Sequence, residues 1–448
     1  MNHPPPPPAA PEPFCLQLDV SPRTWLRHKL LAMLLGDRYL LSGNGPLRQR
    51  PFVATPLPGP DWVRLRTRLA GICGSDLAAL TLANHPASQL TSYVSLPATL
   101  GHENVAEIVE LGPAATAATD ADGRPWAHAD RVLVEPTLAC AARGIQPPCP
   151  SCAAGRFSCC ENLCQPGPAG LPPGVSTGYN CRTAGSWGPE FLAHVSQLVR
   201  LPDQLTDEQA ILVDPLACSL HAVCHNPPPP DGSALIYGAG IIGLGTLACL
   251  RALFPGVRVS IVARYDHQAR MAHALGAHAI LRFTRKTTKA QRFNAIVHDL
   301  QSAVPASARS AGALQIHRAG LGTRSFSGGY DTVYEAVGTA GTVTEALKFA
   351  RAGGRAVILG SVSIGTVDLT PVWFNQVQLH GSYGRGIDAL DGQTLTSYAA
   401  VIQLINQRRI PTQGLLTHCL PAARWREALA AARRSNASNA IKVAIDWR

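Results

Sequence analysis

The stretch Ala234-Leu-Ile-Tyr-Gly-Ala-Gly-Ile-Ile-Gly243 decides the fold of the second half of this chain. It begins as a short apolar run typical of a buried strand, passes through a G-x-G-x-x-G turn and continues into a helix-like segment. In such a unit the first glycine permits a tight turn, the second lets the backbone approach a pyrophosphate, and the third allows close helix packing. We therefore predict a strand, turn and helix that hold a dinucleotide at the helix N-terminus. The alternative is a glycine-rich turn that serves packing alone.

The end of the next predicted strand indicates which dinucleotide is bound. About twenty residues beyond the last glycine, an NAD-binding unit places Asp or Glu to accept hydrogen bonds from the ribose. This chain has Ala263-Arg264 there, which favours a 2′-phosphate, so we predict NADP in preference to NAD. In the alternative, Arg264 stacks on the adenine and Asp266 binds the ribose. The candidate cofactor-binding residues are Gly238, Gly240, Ile241, Ile242, Gly243, Ala263 and Arg264.

Two strings upstream predict a catalytic zinc site. Gly71-Ile-Cys-Gly-Ser-Asp76 and Gly101-His-Glu103 offer one metal ion a thiolate from Cys73, an imidazole from His102 and a carboxylate from Glu103. Zn²⁺ accepts all three ligand types, and such a mixture is more typical of catalytic sites than of structural sites, where cysteines dominate. A buried free cysteine is the alternative interpretation of Cys73.

Length and composition favour a two-domain enzyme. A chain of 448 residues exceeds what one hydrophobic core usually serves. Most of the 13 cysteines stand at metal-ligand spacings, which indicates reduced thiols. The net charge of +10 comes almost entirely from arginine spread along the chain, and we expect no nucleic-acid partner. We interpret the one dense basic patch as a solvated helix face; its residues are Arg282, Arg285, Lys286, Lys289 and Arg292.

We expect no membrane partner and a cytoplasmic location. The apolar run over residues 234–253 is interrupted by glycines, which favours a buried strand, turn and helix over a membrane span. The start, Met1-Asn-His-Pro followed by more prolines, lacks the basic and long apolar regions of a secretory signal.

Several strings, in this order along the chain, carry a resemblance to a known family: LAGICGSDL, LGHENVAEIVE, VEPTLAC, CPSCAAGRFSCC, LVDPLACSLHAV, ALIYGAGIIGLG, YDTVYEAVGT, GGRAVILG and IKVAI. From about Leu65 to Arg448 the chain resembles the zinc-dependent medium-chain dehydrogenases, which include alcohol, sorbitol, threonine and glucose dehydrogenases. The resemblance implies an α/β protein, in which a Rossmann doubly wound parallel sheet accompanies a GroES-like β-barrel catalytic domain.

The expected domains follow from this resemblance and from the pattern of predicted strands. A Pro-rich tail and N-terminal extension covers residues 1–42, the GroES-like domain covers 43–218 and is completed by 376–448, and the Rossmann domain covers 219–375. Residues 25–41 fit either a short amphipathic helix or the first strands of a barrel, and residues 287–329 fit a long loop. The predicted barrel strands are 62–69, 103–111, 131–134, 191–198 and 440–445; those of the parallel sheet include 257–263, 330–336 and 355–360.

The resemblance assigns roles to residues around the predicted catalytic zinc. Asp76 matches the position that hydrogen-bonds the far nitrogen of the ligand histidine, and Glu103 either ligates zinc or sits just behind it. Asp214 lies where related enzymes carry a longer Glu, so it reaches zinc directly, acts through water, or does not reach it. Ser75 matches the Ser or Thr that contacts the substrate hydroxyl. Many members have a histidine three residues later, but this chain has Ala78.

A second, structural zinc is implied by Cys140, Cys149, Cys152 and Cys160. The step from Cys152 to Cys160 reproduces the family's spacing, whereas the insertion over residues 141–148 departs from it. Four thiolates would form a closed site that orders an otherwise exposed lobe. Cys159 and Cys164 are rival ligands, and a metal-free cysteine-rich loop is the alternative.

Together these observations predict a zinc-dependent, NADP-preferring oxidoreductase that interconverts an alcohol or polyol with its carbonyl. The partners we expect are a small-molecule substrate and further copies of the chain in a homodimer or homotetramer. Two alternative functions stay open. One is a non-catalytic cofactor-binding descendant of the family, which Asp214 and Ala78 would favour. The other is a zinc-free quinone-reductase-like enzyme, which Cys73 and His102 argue against.

Overall fold

The computed structural model describes residues 12–303, 316–318, 320, 324–326 and 328–448. Its strands are β1 (Phe14–Leu18), β2 (Leu47–Pro51), β3 (Trp62–Gly71), β4 (Ala98–Thr99), β5 (Asn104–Leu111), β6 (Arg131–Val134), β7 (Glu190–His194), β8 (Leu198–Arg200), β9 (Ser233–Tyr237), β10 (Arg258–Ala263), β11 (Ala279–Arg282), β12 (Ile316–Arg318), β13 (Arg324–Phe326), β14 (Tyr330–Glu335), β15 (Ala350–Ile358), β16 (Gln378–Gly381), β17 (Ile387–Leu390), β18 (Gln393–Thr396), β19 (Leu416–Pro421) and β20 (Lys442–Asp446).

The α-helices are α1 (Pro22–Leu35), α2 (Asp37–Leu40), α3 (Gly74–Leu80), α4 (Pro150–Ala153), α5 (Asp207–Ala210), α6 (Val213–His225), α7 (Ile241–Leu253), α8 (Asp266–Ala274), α9 (Lys289–Ala303), α10 (Ala340–Phe349), α11 (Thr370–Phe374), α12 (Ser397–Asn406), α13 (Trp425–Arg433) and α14 (Ser435–Ser438). In the part of the chain that is described, no helix is long and apolar enough to cross a membrane.

A six-stranded parallel sheet in the order β11-β10-β9-β14-β15-β16 forms the centre of the second half. Counted from β9, the strands run third, second, first, fourth, fifth and sixth, which is the order of doubly wound dinucleotide-binding folds. The predicted Rossmann sheet is confirmed. Its order reverses between β9 and β14, where such folds bind their ligand, and the glycine turn after β9 lies at that point.

The first half and the C-terminal end share a second sheet, which forms the GroES-like domain. The strands β19-β20-β3-β5-β6-β8 follow one another, and β7 pairs with β3. The pairs among β3, β5, β6, β7 and β8 are antiparallel, as in a sheet built from hairpin-like connections. The C-terminal strand β20 lies antiparallel to β3, so the end of the chain completes this domain.

The N-terminal extension is part of the folded structure from Phe14 onward. The strand β1 pairs with β2 and β4, and Ser21 caps α1 by accepting a hydrogen bond from the Thr24 backbone N–H. Of the two alternatives for residues 25–41, the structure has the helix. The first eleven residues of the predicted Pro-rich tail lie outside the described residues.

The region around residues 287–329 differs from the predicted long loop, because its first part forms the helix α9. The basic patch is not one helix face, and that interpretation is wrong. Arg282 ends the strand β11, α9 begins only at Lys289, and Arg292 pairs with Glu345 at 3.0 Å. The pattern of charges alone did not indicate the turn between strand and helix.

The helix α6 connects the two halves of the molecule. It crosses the predicted domain boundary at 218, while the parallel sheet extends to Gly381, beyond the predicted boundary at 375. Ser219 donates a hydrogen bond of 3.0 Å to the Ile242 carbonyl in the first turn of α7. A Cβ atom at Gly245 would lie 2.7 Å from the Ser219 hydroxyl oxygen, so this glycine lets α6 and α7 pack closely. The predicted domain limits stay predictions.

Candidate metal and cofactor sites

The structure brings the predicted ligands Cys73, His102 and Glu103 together. Their ligand atoms all lie within 4.8 Å of one another. The pairing of β3 with β5, which sets Ala70 opposite Asn104, places the residues after one strand beside those before the other. A thiolate, an imidazole and a carboxylate at this separation fit the donor preferences of zinc.

Asp76 lies beside the predicted histidine ligand. Its Oδ1 is 3.4 Å from His102 Nδ1, and its Oδ2 accepts a 3.0 Å hydrogen bond from the Cys73 backbone N–H. Burial acts to lower the pKa of His102, but the charges of Asp76 and Cys73 raise it well above its ordinary value. A metal ligand must be the neutral ring, so cation binding at this cluster is coupled to proton release.

Glu103 is held by a lysine that the sequence analysis did not identify. Glu103 and Lys442 are almost fully buried, and the Lys442 ammonium pairs with Glu103 Oε2 and donates a 3.1 Å hydrogen bond to the Ile72 carbonyl. Burial raises the pKa of Glu103, and the Lys442 charge opposes that rise. A Cβ atom at Gly71 would lie 2.0 Å from Glu103 Oε2, so only glycine leaves room for the carboxylate.

Asp214 is paired with an arginine. Arg385 Nη2 lies 2.6 Å from Asp214 Oδ1, and the same oxygen accepts a hydrogen bond from the Tyr398 hydroxyl. Arg385 Nη1 also lies 2.8 Å from Glu135 Oε1. Asp214 does not belong to the cluster of Cys73, His102 and Glu103, although its charge raises the pKa of Glu103. Zinc ligation by Asp214 therefore stays a prediction that competes with this ion pair.

Tyr179 is a second residue that the sequence analysis missed. Its hydroxyl donates a 2.9 Å hydrogen bond to Asp76 Oδ1 and also hydrogen-bonds Ser75, and its ring centroid lies 5.6 Å from that of His102. Burial, followed by the Asp76 charge, raises the pKa of Tyr179 well above its usual range. The phenol thus stays neutral beside Ser75, which lies in the same short helix as Ala78.

The four cysteines of the predicted structural site also converge. The sulfur atoms of Cys140, Cys149, Cys152 and Cys160 lie within 4.8 Å of one another. Burial raises the pKa of Cys160 to about 11; it also acts to raise that of Cys149, but hydrogen bonds from the Glu161 and Cys152 backbone lower it to about 7. The rivals Cys159 and Cys164 are exposed and are not part of this cluster.

The insertion over residues 141–148 contributes a buried cation to the cysteine lobe, the segment over residues 138–174 that holds the four cysteines. Arg143 is fully buried. Its guanidinium donates hydrogen bonds of 2.5 to 3.2 Å to the carbonyls of Leu138, Leu163, Gln165, Leu171 and Gly174. These carbonyls lie on both sides of the cysteines, so Arg143 holds the loops of the lobe together.

Each glycine of the turn after β9 has the geometry that its position in the G-x-G-x-x-G pattern predicts. Gly238 has φ +116°, a conformation that favours glycine, and a Cβ atom at Gly243 would lie 1.8 Å from the Gly238 carbonyl oxygen. At Gly240, which caps the N-terminus of α7, a Cβ atom would have nothing within 4 Å. The open space before the N–H groups of Ile241 and Ile242 fits an approaching pyrophosphate.

Two arginines meet at the carboxyl ends of β10 and β11. Ala263 ends β10 opposite Arg282, and Arg264 follows it directly. Arg282 Nη2 lies 2.8 Å from Asp266 Oδ1 and donates a 3.3 Å hydrogen bond to the Arg264 carbonyl. Asp266, the alternative partner for a ribose, is therefore engaged by Arg282, whose role the sequence analysis did not identify.

Family models match both halves of the chain. The model of the alcohol dehydrogenase GroES-like domain matches residues 59–203, and that of zinc-binding dehydrogenases matches residues 243–405. The chain belongs to the zinc-type medium-chain dehydrogenases/reductases, and it is an oxidoreductase of the alcohol dehydrogenase type.

Similar proteins include two plant enzymes. The chain is 26% identical to an L-idonate 5-dehydrogenase of Vitis vinifera over 407 residues, covering 90% of this chain and 92% of the relative. It is 26% identical to a sorbitol dehydrogenase of Arabidopsis thaliana over 404 residues, covering 90% and 93%.

Solved structures agree in fold. A Sinorhizobium meliloti 1021 protein assigned to the zinc-binding dehydrogenases and bound to NADP is 25% identical, with a TM-score of 0.62 and coverage of 91% of this chain and 98% of its own. Galactitol-1-phosphate dehydrogenase of Escherichia coli is 20% identical, with a TM-score of 0.63 and coverage of 90% and 97%.

One of the missed residues had a signal in the sequence. Lys442 stands inside the apolar closing strand Ile441-Lys-Val-Ala-Ile445, where a charged residue needs a buried partner. Arg143, Tyr179 and Arg385 lie in Gly- and Pro-rich segments without periodicity, so nothing local indicated that they are buried.

We predict that protein gel-filtered in metal-free buffer retains two zinc ions per chain, because two independent ligand sets converge. Cys73→Ser and Cys149→Ser should each remove one ion, whereas Cys181→Ser, at an exposed cysteine, should remove none. Elemental analysis by mass spectrometry measures the ratio. If Cys149→Ser kept both ions, the cysteine lobe would not be a zinc site.

We predict that Arg143→Ala weakens the cysteine lobe, because several buried carbonyls lose their donor and each costs about 1 to 3 kcal/mol. One zinc ion per chain should then be released at a lower chelator concentration than in the wild type, as followed with a chromogenic zinc indicator. Arg156→Ala, at an exposed arginine of the same lobe, is the matched control and should release zinc as the wild type does. Identical release curves for both variants would contradict the role of Arg143.

Proposed function

We propose that this protein is a zinc-dependent oxidoreductase that transfers a hydride between NADP(H) and an alcohol or polyol, or its carbonyl. The observation that carries the proposal is the convergence of Cys73, His102 and Glu103, a mixed ligand set of the catalytic type. The glycine turn at the switch point of the parallel sheet supports it from the cofactor side.

Zinc bound at this cluster supplies Lewis-acid polarisation of the substrate oxygen. The residues of the chain orient the ligands: Asp76 faces the His102 ring, and Lys442 holds one Glu103 oxygen. Ser75 is the group we assign to the substrate hydroxyl, and its hydrogen bond to Tyr179 offers a path for the proton in place of the histidine missing at Ala78. Asp214 would act through water or remain with Arg385.

The preference for NADP rests on the charges at the ends of β10 and β11. Arg264 follows the strand end where NAD-binding proteins carry an acidic residue, and Arg282 stands opposite Ala263 in the neighbouring strand. Two guanidinium groups can form charge-assisted hydrogen bonds to a 2′-phosphate. Asp266 pairs with Arg282 through one oxygen only and its side chain is 80% exposed, so a hydrogen bond from Asp266 to the ribose stays the alternative.

Polyols are the substrate class that the relatives favour, since those compared include enzymes named for L-idonate and sorbitol. The competing function is a non-catalytic cofactor-binding protein, for which the specific observation is the engagement of Asp214 by Arg385. We also propose a homodimer or homotetramer, because the edge strand β16 is exposed along its whole length.

We predict that Cys73→Ala abolishes NADP-dependent turnover, assayed over a panel of polyols and their carbonyls, while NADPH affinity stays within about twofold of wild type. The thiolate and the glycine turn lie on different parts of the fold, so losing one leaves the other intact. Cys181→Ala is the matched control and should keep wild-type rates. Unchanged turnover in Cys73→Ala would exclude zinc catalysis, and no turnover in the wild type would favour the non-catalytic function.

We predict that Arg264→Ala weakens NADPH binding about ten- to a hundredfold and spares NADH, because a charge-assisted hydrogen bond is worth about 1.5 to 3 kcal/mol. Arg282→Ala should act in the same direction. Arg270→Ala, at an exposed arginine of α8, should change neither affinity. Fluorescence titration measures both cofactors. Equal losses for NADPH and NADH in Arg264→Ala would indicate adenine stacking instead.

A further inference from the structure

A third group of metal-ligating side chains lies outside the two zinc sites. His221 and His225 stand four residues apart in α6, and Asp388 lies in β17. Their ligand atoms all fall within 4.8 Å of one another. Two histidines at this helical spacing present their rings on one face, as in helical zinc motifs. We propose that His221, His225 and Asp388 form a third binding site for a divalent transition-metal ion, Zn²⁺ foremost.

The distances fit coordination of a single ion. His221 Nδ1 lies 2.8 Å from Asp388 Oδ1, and His225 Nε2 lies 3.2 Å from the same oxygen. Two ligands bound to Zn²⁺ at about 2.1 Å are about 3.0 to 3.4 Å apart for angles of about 90 to 110°. Small side-chain rotations are therefore enough to bring the three atoms around one ion.

The charge of the group favours a cation. The Asp388 side chain is fully buried, and within the described residues no lysine or arginine lies within ion-pair distance of it. A buried carboxylate needs a counter-charge or a metal ion. The rings of His221 and His225, whose centroids are 4.2 Å apart, are the groups that face its Oδ1.

The carboxylate is oriented by a second layer of contacts, as metal ligands usually are. The Ser397 hydroxyl, itself buried, donates a 2.6 Å hydrogen bond to Asp388 Oδ2 and leaves Oδ1 for the histidines. Gly386 lets the backbone approach the His221 ring, because a Cβ atom there would lie 3.0 Å from His221 Cε1.

An ion can reach this site from solvent. The His225 side chain is 48% exposed, whereas that of His221 is 15% exposed. Imidazole with one carboxylate suits Zn²⁺, Ni²⁺ and Cu²⁺. Three protein ligands leave a position for water, so we expect weaker binding and faster exchange than at the cluster of four cysteines.

The position of the site gives metal binding a structural consequence. Asp388 lies three residues after Arg385, which pairs with Asp214 in the first turn of α6. An ion held by His221, His225 and Asp388 would fasten β17 to the last turns of the same helix. Binding would stabilise the folded state and, with it, the contact between Arg385 and Asp214.

The experiment starts from protein that retains its tight zinc ions, and Zn²⁺ is added in an isothermal titration calorimeter. The wild type should bind one more ion per chain than His225→Ala does, and only the wild type should show the corresponding zinc-dependent rise in Tm. His273→Ala is the matched control, because His273 is also exposed and also stands in the last turn of a helix, α8. It should bind zinc as the wild type does.

A second variant keeps all three ligands and removes the Ser397 hydroxyl, which supports the carboxylate and also accepts a 3.0 Å hydrogen bond from the Gly386 N–H. Ser397→Ala should weaken the additional site by about 10- to 100-fold, the usual effect of removing a hydrogen bond to a ligand. Equal zinc binding by wild type and His225→Ala would overturn the proposal, and so would the absence of an additional ion in the wild type. In either case the histidines would serve only as hydrogen-bond donors to Asp388. Neither result would bear on catalysis at Cys73.

Discussion

The buried pair of Glu103 and Lys442 is the interaction on which the candidate metal site of Cys73, His102 and Glu103 depends. A carboxylate placed next to Cys73 and His102 cannot be buried without a counter-charge, because desolvation of an unpaired ion costs several kcal/mol. The counter-charge comes from β20, the last strand of the chain. The carboxylate of this candidate site therefore has its counter-charge only when the C-terminal strand lies against β3.

A short segment around Arg385 connects the cysteine lobe with the buried carboxylates of Asp214 and Glu135. The Ser158 hydroxyl accepts a 2.8 Å hydrogen bond from the Arg385 N–H and donates one of 2.5 Å to its carbonyl, which ties the segment to the cysteine lobe. The Arg385 guanidinium meanwhile pairs with Asp214 and Glu135. The segment around Arg385 thus links the cysteine lobe to these buried charges by direct contact.

Prediction succeeded where chemistry is encoded by neighbouring residues. The turn after β9 requires glycines at fixed positions, since Gly238 has positive φ and Gly243 lies against the Gly238 carbonyl. The G-x-G-x-x-G pattern in the sequence indicates this requirement directly. The cysteine spacing likewise indicated four converging thiols. Prediction failed where a charge pattern lacked a local constraint: the basic patch from Arg282 to Arg292 was interpreted as one helix face, yet it spans a strand end and a helix start.

The sequence by itself determined the family, the two sheets, and the short-range ligand pairs such as His102 with Glu103. Only the tertiary structure decided which distant groups face the buried carboxylates: Lys442 at Glu103, Arg385 at Asp214, and the two histidines of α6 at Asp388. The physical reason is that a buried charge is compensated by whatever group lies within a few ångströms in space. Those partners are more than a hundred residues away along the chain, so no local sequence pattern indicates that they are close in space.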